Sequence, residues 1–163
     1  MRIKKIKLTK ENLLKIQDID DLYYKNAITG IDWYLERFNF HHYAYVLMDD
    51  MDNYFGYIAS SPIKKEYYDA IVSGVIINDV HINPKMYVNT SDYHYISSIV
   101  ILDEYRNKGF GSELLKSLLK DISNKKYCAI TISKEGYNLI KRYMDIKLII
   151  NDNTTVFVNK KSH

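Results

Sequence analysis

Residues 99–120 constrain the fold of this chain more than any other stretch. An apolar strand, Ile-Val-Ile-Leu, runs into a basic turn that contains Arg106, Lys108, Gly109 and Gly111, and a leucine-rich helix follows. The first N–H groups of a helix have no partner within the helix and lie at its positive end. Glycine also allows an anion to come close to the backbone. The spacing therefore predicts a diphosphate-binding turn between a strand and a helix.

The pattern Arg106-x-x-Gly109-x-Gly111, followed by Leu114-Leu115, resembles motif A of the GNAT acetyltransferases. The hydrophobic strand and the Asp-Glu-Tyr before the arginine strengthen the match. The spacing differs from that of a Walker A loop or a dinucleotide fingerprint. In that family the loop binds the pyrophosphate of acetyl-coenzyme A. The resemblance therefore implies acetyl-CoA as co-substrate, held by Arg106, Asn107, Lys108, Gly109, Phe110, Gly111 and Ser112.

The order of predicted elements resembles the same family over nearly the whole chain. It implies a single α/β domain, residues 1–163, with a mixed, mostly antiparallel central sheet that is flanked by helices and splayed at its central strands. Alternation and apolar periodicity give the elements. The predicted strands are 2–8, 43–48, 54–60, 93–102, 127–133, 146–151 and 154–159. The first predicted helix follows Thr9, which is its N-cap. The other predicted helices cover 31–38, 64–73, 112–122 and 137–144.

About thirty residues, 63–92, form an inserted segment where the family often has a short connection. A connection of this length is usually functional or carries its own structure. The segment and the Tyr-x-Ser-Ser-Ile-Val strand after it loosely resemble a set of bacterial GNAT proteins. Two interpretations stay open, a substrate lid and a helix that covers the edge of the sheet.

The resemblance also assigns roles around the thioester. In the family, backbone groups of the central strand bind the pantetheine arm and polarise the thioester carbonyl, and the matching residues are Ile99, Val100 and Ile101. A tyrosine in the helix after the fifth strand often protonates the leaving thiolate. Tyr143 is its counterpart, with Tyr137 as the alternative, although the usual Gly-Phe does not follow and Gly136 replaces a frequent asparagine.

The general base has several candidates. The family's glutamate near the end of the fifth strand is matched by Thr131, so another group or a water chain has to take the proton from the amine. His94 and Glu135 are the main candidates, because histidine titrates in the useful range and the glutamate follows the fifth strand. Looser options are His81, His41 and His42.

An aromatic run from Tyr23 to Tyr45 lies where family members form the wall of the acceptor site. Packing of these rings in the core is the alternative interpretation. It is also the favoured one, with only some of these rings able to line a pocket.

Composition narrows the class of protein. The 163 residues are 47% hydrophobic and 26% charged, as in an ordinary globular domain. The net charge of +3 is spread along the chain, which argues against a nucleic-acid partner. No apolar run reaches membrane-spanning length, and the N-terminus does not resemble a secretory signal, so we expect a cytoplasmic location. Cys128 is the one cysteine, so an internal disulfide is not expected. The five histidines lack zinc-site spacing, so a zinc site is not expected either.

Together these features predict an N-acetyltransferase that moves acetyl from acetyl-CoA to a primary amine of a small molecule or protein. No residue is suited to form an acetyl-enzyme, so direct attack in a ternary complex is expected. The alternative is a catalytically inactive module that binds CoA or acyl-CoA as a sensor. A homodimer is possible, since domains of this kind commonly dimerise.

Overall fold

The computed structural model of the protein describes residues 1–23, 43–77 and 84–160. The predicted helix 31–38 and the base candidates His41, His42 and His81 lie outside these residues, as does most of the aromatic run. Among the described residues the strands are β1 (Arg2–Ile6), β2 (Tyr43–Met48), β3 (Tyr54–Pro62), β4 (Tyr93–Ile101), β5 (Lys126–Thr131), β6 (Met144–Ile149) and β7 (Thr155–Asn159). The α-helices are α1 (Lys10–Tyr23), α2 (Lys65–Val72), α3 (Phe110–Asp121) and α4 (Lys134–Ile140), with 3₁₀ turns at Pro84–Met86 and Asp103–Tyr105.

The strands form one seven-stranded sheet in the order β1-β2-β3-β4-β5-β7-β6. β4 and β5 pair in parallel, whereas the β1–β2, β2–β3, β5–β7 and β6–β7 pairs are antiparallel. This confirms the predicted α/β class with a mixed, mostly antiparallel sheet. The chain divides into two compact units: Met1–Ser60 with Ser98–Asp121, and Ser61–Ser97 with Ile122–His163.

The core of the first unit lies between α1 and the sheet. Thr9 caps the helix as predicted: the Asn12 N–H donates to its Oγ1 at 3.3 Å. Three buried residues spaced three apart, Leu13, Ile16 and Ile19, form one face of the helix. They pack against Val46, Met48, Tyr57, Ala59 and Val100. Each such side chain contributes about 1.5–3 kcal/mol of transfer free energy when fully buried.

α3 buries one leucine face, with Leu114, Leu115 and Leu118 fully inaccessible. Its last residue, Asp121, accepts a hydrogen bond from the Tyr45 hydroxyl at 2.7 Å and also pairs with the Lys5 ammonium. Burial, followed by the bond to Asp121, raises the pKa of Tyr45. The C-terminal end of α3 is therefore fastened to β1 and β2.

In the second unit the β4–β5 ladder is short. It runs from Tyr93 opposite Lys126 to Ile96 opposite Ala129, and no pairing of these two strands is formed beyond that point among the described residues. Strands that splay apart stop pairing, so the early end of this ladder agrees with the predicted splay of the central strands.

The inserted segment has its own structure. Residues 65–72 form α2, within the predicted helix, and the helix ends with hydrogen bonds from Gly74 N to Ile71 O (3.1 Å) and from Val75 N to Ala70 O (2.9 Å). This is a Schellman motif. α2 contacts β5 and β7 and buries Ile71. Both strands lie inside the sheet order and not at its edge, so the helix contacts inner strands, and the lid interpretation stays a prediction.

Two predicted boundaries near the fifth strand are wrong. The strand ends at Thr131 rather than 133, and the helix covers Lys134–Ile140 rather than 137–144. The reason is that Ser133 is the N-cap: its Oγ accepts from the Gly136 N–H at 3.1 Å, which starts the helix early. Tyr143 consequently lies in the turn after α4 and not within a helix.

No helix of the described part of the chain is long and apolar enough to cross a membrane.

Candidate functional site

The predicted anion loop belongs to the first unit and joins the end of β4 to the start of α3. After Ile101 the chain makes the 3₁₀ turn Asp103–Tyr105 and then passes through two left-handed residues, Asn107 (φ 59°) and Gly109 (φ 86°). Asparagine tolerates this conformation better than most residues, and glycine adopts it without a steric penalty. The local sequence therefore determines the path of the loop.

Gly109 is the N-cap of α3, because its carbonyl accepts the first helical hydrogen bond from the Glu113 N–H at 3.1 Å. Within the described part of the chain, no hydrogen bond uses the backbone N–H groups of residues 107–112. These six N–H groups lie at the positive end of a 12-residue helix. A Cβ added at Gly109 would meet no atom within 4 Å, so this side of the loop is open. The arrangement suits a diphosphate.

Arg106 holds the loop together as well as adding charge to it. Its Nε–H donates to the Ile101 carbonyl at 2.9 Å, and its Nη1 lies 2.9 Å from Asp103 Oδ1. Its guanidinium carbon lies 4.8 Å from the centroid of the Tyr23 ring. The sequence predicts only a positive charge beside the anion; the structure shows that part of the guanidinium closes the turn.

Tyr23, the last residue of α1, is tied to the same turn. Its hydroxyl donates to Asp103 Oδ1 and accepts from the Asp103 N–H, both at 3.0 Å. Burial, followed by the bond to Asp103, raises the pKa of this phenol. Sequence reasoning placed Tyr23 only in the aromatic run, since nothing local reveals a contact that spans 80 residues.

β4 is closely approached by β3 at the residues expected to bind the pantetheine arm. A Cβ added at Gly56 would lie 2.7 Å from the Val100 carbonyl oxygen and 3.2 Å from the Ile101 Cα. Val100 and Ile101 bury their side chains, and Ile99 is half-buried. An isolated glycine inside a strand signals such an approach, and this signal was available in the sequence.

His94 lies in the second unit with only 2% of its surface exposed. Desolvation, followed by the nearby charge of Lys125, lowers its pKa to about 4. An imidazole with this pKa is a poor acceptor for the proton of an alkylammonium group. Its burial and its low pKa both argue against His94 as the general base.

The remaining candidates also belong to the second unit. Glu135 is exposed in the first turn of α4, and Tyr143 is half-buried, with its N–H donating to the Ile140 carbonyl at 2.9 Å. Thr131, at the position where the resemblance expects a glutamate, is buried, and its Oγ1 donates to the Thr155 carbonyl at 3.4 Å. The Tyr137 ring packs 5.6 Å from the ring of Phe157.

The structure thus brings residues 106–112 together in the first unit, and it places His94, Glu135 and Tyr143 in the second. No group of three or more His, Cys, Asp or Glu side chains suited to a metal ion occurs among the residues that the structure describes.

The sequence matches the model of the acetyltransferase (GNAT) family over residues 13–143. No curated protein matches it at a significant level.

Solved structures match nearly the whole chain. The loading GNATL domain of CurA from Lyngbya majuscula has a TM-score of 0.69 at 15% identity, covering 97% of this chain and 96% of that one. NAA60 of Arabidopsis thaliana, in complex with a bisubstrate analogue, has a TM-score of 0.62 at 14% identity, and the match covers 96% of this chain and 97% of that one. The PaiA N-acetyltransferase of Thermoplasma acidophilum, in complex with coenzyme A, has a TM-score of 0.60 at 13% identity, and the match covers 99% of this chain and 100% of that one. At these identities the similarity shows the fold.

Proposed function

The chain belongs to the acetyltransferase (GNAT) family, whose members are acyltransferases, and we propose that it transfers acetyl from acetyl-CoA to a primary amine of a small molecule or protein. The row of N–H groups at residues 107–112, open on the side of Gly109, is the observation that carries this proposal. Two structurally similar proteins were solved with coenzyme A or with a bisubstrate analogue, which supports the same class of substrate.

In this proposal the diphosphate of acetyl-CoA binds the backbone of residues 107–112, with Arg106 and Lys108 supplying positive charge. The backbone of Ile99, Val100 and Ile101 holds the pantetheine arm and polarises the thioester carbonyl. Hydrogen-bond donors fixed where negative charge develops are among the strongest contributions to catalysis. The close approach of Gly56 to Val100 fixes this backbone within the first unit.

The proposed reaction is direct acyl transfer. The neutral amine attacks the carbonyl carbon, the C–N bond forms, the C–S bond breaks, and the thiolate of CoA takes up a proton. Cys128, the chain's one thiol, is fully buried, and burial raises its pKa. A buried protonated thiol does not suit an acetyl-enzyme intermediate, so a ternary complex is favoured.

Tyr143 is proposed as the acid that protonates the thiolate, on the strength of the family pattern. Glu135, which is exposed to solvent in the first turn of α4, is proposed as the general base. A chain of water molecules is the alternative route for the amine proton.

Turnover with a panel of amines tests this function. Acetyl-CoA is mixed with the protein and polyamines, aminoglycosides, amino acids or peptides with free N-termini; released CoA thiol is followed and products are identified by mass. We expect thiol release above the hydrolysis background with at least one amine class, and loss of that release in Gly109→Asp. A wild-type protein that binds acetyl-CoA but turns over no amine would contradict the proposal.

A catalytically inactive CoA-binding sensor is the second candidate. The burial of Thr131 at the position of the family's glutamate and the burial of His94 favour it, because neither side chain is suited to accept the amine proton. Tight binding of acetyl-CoA without turnover across the amine panel would support this alternative.

A further inference from the structure

We propose that Tyr23 is a positioning residue for the diphosphate-binding loop, an inference that rests on the proposed function. Its hydroxyl holds Asp103 through two hydrogen bonds, as donor to Oδ1 and as acceptor from the backbone N–H, both at 3.0 Å. The same Oδ1 lies 2.9 Å from Arg106 Nη1. A phenol on α1 thereby fixes the carboxylate that orients the arginine of the loop.

The contacts form a continuous path from α1 to the row of N–H groups. Arg106 stands next to the left-handed Asn107 and donates through Nε to the carbonyl of Ile101, the last residue of β4. The Tyr23 ring also lies beneath the guanidinium, 4.8 Å from ring centroid to Cζ. Arg106 is therefore held on one side by the strand end and on the other by Tyr23 and Asp103.

Orientation of this arginine matters because the loop takes a conformation that a free chain rarely adopts. Asn107 and Gly109 both have positive φ, and in the described part of the chain no hydrogen bond uses the N–H groups of residues 107–112. A loop held in its binding conformation loses less entropy when an anion binds, so fixing it increases affinity. Without the Tyr23 hydroxyl, Asp103 and Arg106 gain alternative rotamers.

The hydroxyl contributes little to the packing of α1 itself. Leu13, Ile16 and Ile19 hold the helix against the sheet, and the Tyr23 ring packs against the same cluster. Tyr23→Phe is therefore expected to fold as the wild type does, while its loop loses both hydrogen bonds to Asp103.

Calorimetric titration of CoA and of ADP tests the proposal, because both ligands carry a diphosphate. We expect Tyr23→Phe to lower the affinity for both ligands by about fivefold. This corresponds to about 1 kcal/mol of binding free energy, the net contribution of one or two hydrogen bonds. In an Asp103→Ala background the same change should have no further effect, since Tyr23 acts through Asp103. A purely structural role would not produce this dependence on Asp103.

Tyr45→Phe is the matched control. It removes the same kind of bond, a tyrosine hydroxyl donating to an aspartate at 2.7 Å, at the opposite end of α3. We expect its CoA affinity to stay within twofold of the wild type. Urea unfolding of each variant establishes that the compared proteins are folded.

The outcomes separate this inference from the proposed function. If the wild type binds CoA and Tyr23→Phe binds within twofold of it, the positioning role is wrong and the function stands. If Tyr45→Phe weakens binding as much as Tyr23→Phe, the effect is a general loosening of the unit, and the positioning role is again wrong. If the folded wild type does not bind CoA, the proposed function is wrong, and this inference falls with it.

Discussion

At the scale of the residue, His94 makes stability depend on pH. Its pKa is about 6.5 in an unfolded chain and about 4 in the folded protein. As pH falls from about 6.5 to about 4, the unfolded state binds a proton that the folded state does not, so the free energy of unfolding decreases. We expect a loss on the order of 2 kcal/mol between pH 7 and pH 4.5 from this group, measured by urea unfolding.

Carboxyl groups also titrate over this range, so the informative quantity is the difference between the wild type and His94→Gln. Glutamine keeps a polar side chain and removes the titration. The variant should lose less stability than the wild type on acidification. Equal losses in the two proteins would show that His94 is not buried in its neutral form.

Tyr143→Phe tests the proposed acid. If Tyr143 protonates the leaving thiolate, its loss should lower kcat by about 100-fold, the scale of general acid catalysis, with little change in the KM for acetyl-CoA. Steady-state kinetics with an active amine measure both constants. Tyr137→Phe is the control: its ring packs on Phe157, and its kcat should stay near that of the wild type. The reverse pattern would make Tyr137 the acid.

Single residues differ in how far sequence reveals their roles. The conformation of Gly109 depends on its own φ and on the helix that follows it, so the local motif predicts the turn, whereas its contact with a diphosphate stays a prediction. The role of Tyr23 depends on Asp103, 80 residues away, and no local pattern indicates that contact. The burial of His94 was not predictable, since a histidine in a strand has no sequence signature of its exposure.

At the scale of the element, the approach of β3 to β4 predicts a large effect of a small change. Gly56→Ala would place a Cβ 2.7 Å from the Val100 carbonyl oxygen, and backbone atoms yield less readily than the end of a side chain. We expect the free energy of unfolding to fall by about 1–3 kcal/mol, the usual cost of overpacking. We also expect CoA affinity to fall, because the displaced backbone is the proposed pantetheine contact.

Gly136→Ala is the matched substitution. Its Cβ would meet Ser133 Oγ at 3.1 Å, a side-chain atom near the start of α4, and alanine favours the helix. Urea unfolding should place this variant within about 1 kcal/mol of the wild type. If both alanine variants lose the same stability, the close approach of Gly56 is not the cause.

The elements themselves were predictable where side-chain periodicity defines them. The hairpin of β2 and β3 and the strand β4 agree with the predicted ranges within two residues at each end. α4 was misplaced because apolar spacing continues past Ile140, whereas the start of the helix is set by one hydrogen bond to Ser133. Capping is a local contact that periodicity does not report.

At the scale of the whole molecule, the strand–turn–helix motif predicted the family and the order of elements predicted the α/β class, and both are confirmed. The reason is physical: a diphosphate site of this kind needs a strand end, a left-handed turn and a helix N-terminus in succession. The acceptor was not predictable, since its recognition depends on side chains brought together from distant positions. The match over residues 13–143 identifies the family without identifying the amine.

Calorimetric titration of acetyl-CoA into the wild type, Gly109→Asn and Gly109→Asp is the most direct test of the central claim, that residues 107–112 bind the diphosphate. Asparagine and aspartate have nearly the same size and both tolerate the φ of 86° at this position, so they differ mainly in charge. We predict that the wild type binds acetyl-CoA. The affinity of Gly109→Asp should be at least about tenfold lower than that of Gly109→Asn, because the carboxylate repels the diphosphate. Equal binding by all three proteins, or no binding by a folded wild type, would contradict the account.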